Sequence, residues 1–231
     1  MSTAETLCGS PVILTGITDR RGSAVWKAVG PRGSVAVKSG YGVGAESVLR
    51  ETTVLNELSG RTVVGGRTGD SVWYVTDWLD GPSTWKVFQP VRDGVDGRTW
   101  ALTGAVELCR AAAELHELGW RQSDLQPSHG IHRAAGVCLI DFAWSWREGL
   151  SAPAHFRGGV THLDAPEFAA RIDDGARHVT PTVAADVYAL AGALWTCATV
   201  RGRWTTGRPG SPYVVPVWPN CGRRLPQVVS H

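Results

Sequence analysis

The chain has 231 residues, with 23 Lys and Arg against 21 Asp and Glu and a formal net charge of +2. That length suits one large domain or two small lobes around a cleft, and balanced charge without a basic run argues against a nucleic-acid or membrane surface. The 5 cysteines are odd in number, scattered and free of any C-x-x-C pair, which argues against a zinc site or a disulfide framework.

The opening stretch MSTAETLCGSPVILTG lacks a charged segment and a long apolar core, so no signal peptide is expected. No stretch is long and apolar enough to span a bilayer, and a reducing cytoplasm fits. Cys109, Cys138 and Cys197 sit among apolar neighbours and read as small core residues. Residues 23–38 predict two strands, SAVWKAV and SVAVK, joined through Gly30-Pro31-Arg32-Gly33. Residues 45–58 predict a helix, with Val48, Leu49, Thr52, Leu55 and Leu58 as its stripe and both Glu46 and Glu51 within it. Residues 61–78 predict a second strand pair, turned at Gly69-Asp70.

Residues 100–118 predict a helix with Leu102, Val106, Cys109 and Ala113 on one face and Leu108, Ala112 and Leu115 beside it. After it, Asp124 opens a turn held by Pro127, and Asp141 ends the apolar run Val137, Cys138, Leu139, Ile140. A loop acid and a strand-end acid joined by a short hairpin can face one cleft, one orienting a hydroxyl and the other holding a cation. His129 and His132 share the intervening loop, which by itself makes no zinc site. Residues 185–199 are apolar nearly all round, as in a helix buried mid-domain, with Asp186 placed to cap its start. Residues 201–231 are rich in Gly, Pro and Arg and predict no helix; the 11 tryptophans find no explanation in the sequence.

The two acidic loops resemble those of protein kinases. Gln122-Ser123-Asp124-Leu125-Gln126-Pro127-Ser128-His129 is similar to H-R-D-L-K-P-x-N, and Asp141-Phe142-Ala143 to D-F-G. Val35-Ala36-Val37-Lys38, Ala165-Pro166-Glu167 and Asp186-Val187-Tyr188-Ala189-Leu190 match further motifs in the same order. The resemblance implies an α+β, two-lobed protein-kinase-like fold, with a small antiparallel β-rich lobe over residues 1–80 and a mainly helical, abbreviated lobe over 81–231. It implies an ATP-dependent phosphotransferase using Mg2+, with Mn2+ as an alternative ion. Asp124 would orient the acceptor hydroxyl, Asp141 would hold the metal, and Lys38, held by Glu51, would contact the phosphates. Val25, Ala36, Thr76, Asp77 and Leu79 would line the nucleotide site, with Thr76 between strand and hinge. Asp186 would bond the backbone of the catalytic loop, and Glu46 would be a solvated first-turn acid.

Departures from the family pattern bear on activity. Thr18, Arg20 and Ser23 hold the slots of the glycine-rich loop; Arg20 and Arg21 read as solvated, with phosphate contact as the alternative. His129 replaces the second metal-binding asparagine, and ligation or a plain hydrogen bond are both open to it. Gln126 stands for a lysine, Ser123 for an arginine and Ala143 for a glycine. Residues 159–167 resemble the segment that positions a protein substrate, with Val160 in the threonine slot, Thr161 beside it, and Glu167 expected to meet Arg223 or Arg224.

The resemblance therefore implies transfer to Ser or Thr hydroxyls of a protein or peptide, bacterial peptide modification being one such setting. The alternatives are a small-molecule kinase of the aminoglycoside type and a pseudokinase acting as a scaffold. A homodimer or heteromeric partner would cover the abbreviated lobe, unless Trp204, Tyr213, Val214, Val215, Val217 and Trp218 of the tail do so.

Overall fold

A computed structural model describes residues 2–20, 22–58, 62–152, 154, 156 and 158–199. The expectations for Arg21, for Arg223 and Arg224, and for the tail from residue 200 lie outside these. The fold is α+β. Its first half is a five-stranded antiparallel sheet in the order β1-β2-β3-β5-β4. The strands are β1 (Ile13–Arg20), β2 (Ser23–Gly30), β3 (Gly33–Gly40), β4 (Val63–Thr68) and β5 (Ser71–Asp77). Both hairpins expected from the sequence form, the first closing on the pair Gly30 and Gly33 and the second on Thr68 and Ser71.

Strand alternation gives this sheet two jobs. One face carries Ala28, Val35 and Val75, packed with Ala4 and Cys8 of helix α1 (Thr3–Cys8). The other carries Val72 and Tyr74, packed with Val48, Val54 and Leu55 of helix α2 (Val43–Glu57). Residues two apart share a face and cross-strand partners do too. The pairs Val25–Lys38, Lys38–Tyr74 and Ala36–Thr76 therefore set Val25, Ala36, Lys38 and Thr76 on the α2 side of the sheet.

The second half is mainly helical. It contains α3 (Thr84–Val87), α4 (Gln89–Arg92), the long α5 (Arg98–Glu117), α6 (Pro166–Asp173) and α7 (Val183–Thr199). Short antiparallel pairs lie between them: β6 (Trp120–Arg121) with β9 (Trp146–Arg147), and β7 (Gly130–Arg133) with β8 (Gly136–Leu139). One apolar cluster runs from Val48 and Tyr74 through Leu108, Leu115, Leu125 and Phe142 to Leu190, so both halves share a core.

Three expectations change. Helix α5 buries the row Ala101, Gly104, Leu108, Ala112 and Leu115, which leaves Leu102, Val106 and Cys109 exposed. Both rows are apolar, and only the neighbours decide between them; Cys109 is thus no core residue. Helix α7 is not buried all round, since Val183, Val187 and Trp195 are exposed while Ala185, Leu190 and Ala193 are buried. Its start is capped by the Thr182 hydroxyl, which accepts from the Ala185 N–H at 3.1 Å, so Asp186 is not the cap. The tryptophans gain a partial account, because Lys27, Arg92, Arg121 and Arg147 lie over the rings of Trp78, Trp85, Trp146 and Trp120. Among the described residues, no helix is long and apolar enough to cross a membrane.

The β1–β2 hairpin is seated on the start of α2 through close backbone contacts. Gly22 sits at φ 75°, and its carbonyl accepts from the Tyr41 N–H at 2.9 Å. A Cβ on Gly44 would overlap the Gly22 carbonyl, and one on Gly40 would overlap the Gly44 carbonyl. Gly44→Ala is therefore expected to lower stability by about 1–3 kcal/mol through overpacking. Urea unfolding checks this, and an unchanged midpoint would show that the hairpin yields freely.

Candidate active site

The site begins with a lysine that needs two acids. Lys38 is buried on β3, and its Nζ donates to Glu51 Oε2 at 2.6 Å and to Asp141 Oδ1 at 3.0 Å. Glu51 reaches it because α2 lies across that face of the sheet; Glu46, one turn earlier, is exposed. The second oxygen of Glu51 accepts from the Phe142 N–H at 2.9 Å. One glutamate thus ties strand β3 to the segment carrying Asp141, and Phe142 is anchored next to it in the shared core.

The Asp124 loop is held from below by Asp186. Its Oδ2 accepts from the Gln122 N–H at 2.7 Å and lies 2.9 Å from His116 Nε2, while its Oδ1 accepts from the Ser123 N–H at 2.8 Å. Ser123 takes φ 70°, a left-handed conformation that costs a side chain about 1 kcal/mol or more and persists only where neighbours dictate it. Asp141 does the same at φ 61°.

Between the two acids lies Gln122, fully buried. It donates through Nε2 to the carbonyls of Ile140 at 3.1 Å and Asp141 at 3.0 Å, and accepts from the Asp124 N–H at 2.6 Å. The two loops are thereby fixed to one side chain.

Gln126 Nε2 donates to Asp124 Oδ1 at 2.7 Å. His129 is buried, with Nδ1 2.8 Å from the Asp124 carbonyl and Nε2 3.7 Å from Asp141 Oδ2. One ligand atom from each of Asp124, His129 and Asp141 falls within 4.8 Å of the others, a grouping able to hold a metal ion. His132 points elsewhere, with Nε2 3.0 Å from the Thr84 hydroxyl.

Burial pushes the Asp124 carboxyl up to about 6, more than the nearby His129 offsets. Burial also acts to raise Asp141, but Lys38 and His129 outweigh it and hold that carboxyl at about 2. Lys38 is driven upward despite its burial, by Glu51 and then Asp141. The arrangement therefore separates two aspartates, one readily protonated and one held ionised.

The structure brings Lys38, Glu51, Asp124, His129 and Asp141 together. Val25, Ala36 and Thr76 share the face that carries Lys38, and the buried Thr76 hydroxyl has no hydrogen-bond partner. Leu79 is half-buried beyond the end of β5, whereas Asp77 is exposed and its Oδ2 lies 3.5 Å from the Thr62 N–H. Sequence reasoning missed Gln122 and His116, whose roles run through atoms far along the chain. It also missed how closely Gly159 approaches Asp124: a Cβ there would overlap the carboxylate, and the Gly159 N–H donates to Asp164 Oδ1 at 2.8 Å.

A raised carboxyl carries a cost when ionised. The folded chain binds the Asp124 proton more tightly than the unfolded chain, so stability falls as pH rises from about 4 to 6 and stays lowered above that. Asp124→Asn removes the charge and is expected to raise stability by about 1–3 kcal/mol at pH 8, with little effect at pH 4. Chemical unfolding at both values checks the sign, and a variant less stable at pH 8 would overturn it. No protein-family model matches the chain, and no curated protein matches it either.

Proposed function

We propose that the chain is a protein-kinase-like phosphotransferase, with residues 1–80 and 81–231 as its lobes and ATP bound in the cleft. The observation that carries this reading is Lys38 held at once by Glu51 and Asp141, with Asp124 tied to the same cleft through Gln122. The orphaned Thr76 hydroxyl adds support, since a buried polar group without a partner is costly and a ligand atom would satisfy it.

The donor set suits a divalent cation. A carbonyl only accepts hydrogen bonds, so His129 Nδ1 carries a proton towards the Asp124 carbonyl, which leaves Nε2, facing Asp141, as the ring atom that would meet a metal ion. Asp141 and His129 would hold Mg2+ or Mn2+, and the ion would neutralise phosphate charge. An imidazole ligand favours Mn2+, because Mg2+ prefers an all-oxygen shell.

The chain's own groups do the rest. Lys38 binds the phosphates and Gln126 orients the Asp124 carboxylate. Asp124 takes the proton of the acceptor hydroxyl as its oxygen bonds to the terminal phosphorus and the bond to the departing diphosphate breaks. Gly159 against Asp124 places residues 159–167 beside this acid and favours a Ser or Thr hydroxyl on a protein or peptide. Gln126 favours a second reading, a small-molecule acceptor, because it brings no positive charge to the transferring group.

The reading is tested by phosphate transfer from ATP to peptide and small-molecule acceptors, with Mg2+ or Mn2+. Expected are metal-dependent binding of ATP, loss of transfer in Asp124→Asn with binding within about twofold, and a kcat/KM that falls as pH drops through about 6. His129→Asn is expected to shift the preference from Mn2+ to Mg2+. A wild-type chain that binds no nucleotide with either ion at millimolar concentration would remove the proposal.

A further inference from the structure

The cleft as described so far is short of positive charge. Lys38 faces two carboxylates, Asp124 adds a third, and Gln126 contributes none. A nucleoside triphosphate brings about four more negative charges, of which one divalent ion neutralises two. Lys27, on the same sheet face, is engaged with Asp80 at 3.6 Å and with the Trp78 ring.

The β1–β2 hairpin supplies a further cation. Thr18 pairs with Val25 and Arg20 with Ser23, while Val25 pairs with Lys38. The register therefore puts Thr18, Arg20 and Ser23 on the face that carries Lys38, with Arg20 in the pair that closes the hairpin. Gly22 beyond it is committed elsewhere: its carbonyl accepts from the Tyr41 N–H, and its backbone lies against Gly44. The charge of Arg20 already acts across the cleft, since it contributes to holding the Asp141 carboxyl low.

We propose that Arg20 is the phosphate clamp of this cleft, its guanidinium binding the β- and γ-phosphates in the place of a backbone cradle. A guanidinium presents paired N–H donors that match two phosphate oxygens at once, which an ammonium does not. The Thr18 and Ser23 hydroxyls lie on the same face as secondary donors. Arg20 is exposed, as a solvated arginine would be, and the clamp takes up the alternative of phosphate contact; it rests on the phosphotransferase reading.

Isothermal titration of ATP, ADP and adenosine, each with Mn2+, into wild type, Arg20→Gln and Arg20→Lys tests the clamp without reference to turnover. Expected is about a tenfold or greater weakening of ATP and ADP by Arg20→Gln, with adenosine unchanged and Arg20→Lys intermediate. If Arg20→Gln binds ATP within about twofold of wild type, the clamp is wrong while the phosphotransferase reading stands. Equal weakening of adenosine would show that Arg20 acts through the fold, which also overturns the clamp. If wild type binds none of the three, both readings fall together.

Discussion

A buried lysine is stable only if acids surround it, and here those acids come from opposite ends of the fold. Glu51 stands on α2 and Asp141 lies 103 positions beyond Lys38. Burying an ammonium costs several kcal/mol unless it is paired and hydrogen-bonded. The sheet, α2 and the loop after β8 must therefore reach their final places together. Glu51 joins these parts by giving one oxygen to Lys38 and the other to the Phe142 N–H, so the carboxylate that pairs the lysine also seats the Asp141 segment.

Asp186 and Gln122 solve a different problem. The Asp124 loop is largely buried against the helical half, where irregular backbone has no ladder to satisfy it. Asp186 supplies a charged acceptor for two consecutive N–H groups, and charge-assisted bonds of that kind are about twice as strong as neutral ones. That surplus offsets the left-handed Ser123. Gln122 then spans from Asp124 to Asp141, and an amide suits the task because it donates and accepts at once. A carboxylate could not donate to the two carbonyls, and a lysine could not accept from Asp124.

What the sequence showed, and what it hid, follow from the range of the forces. The hairpins were legible because β-branched residues alternate up to Gly-Pro and Gly-Asp turns, and α2 because its stripe has helical spacing. Helix α1 went unread although Ser2 and Glu5 form a capping box, with the Glu5 carboxylate 2.7 Å from the Ser2 N–H. The buried row of α5 was ambiguous because two adjacent rows are apolar, and periodicity measures a stripe without saying what lies opposite. In α7 the same limit appears differently: high hydrophobicity all round left Val187 in solvent, since burial depends on neighbours. Lys38, Glu51, Asp124 and Asp141 were legible as spaced motifs. Gln122 and His116 were not, because each acts on atoms remote in sequence and leaves no local pattern.

The two aspartates show how the same residue type is set to different tasks. Both lose solvent, and loss of solvent alone would raise both. Of the two aspartates Lys38 touches only Asp141, so that carboxyl stays ionised to low pH and can hold a cation. Asp124 is left with a neutral amide from Gln126 and the more distant His129, 3.9 Å from its Oδ2, and its proton affinity rises. A lysine in place of Gln126 would hold Asp124 ionised but make it a weaker proton acceptor. The amide orients the carboxylate while lowering its proton affinity less than burial raises it, and the fold carries the cost of a charge it does not neutralise.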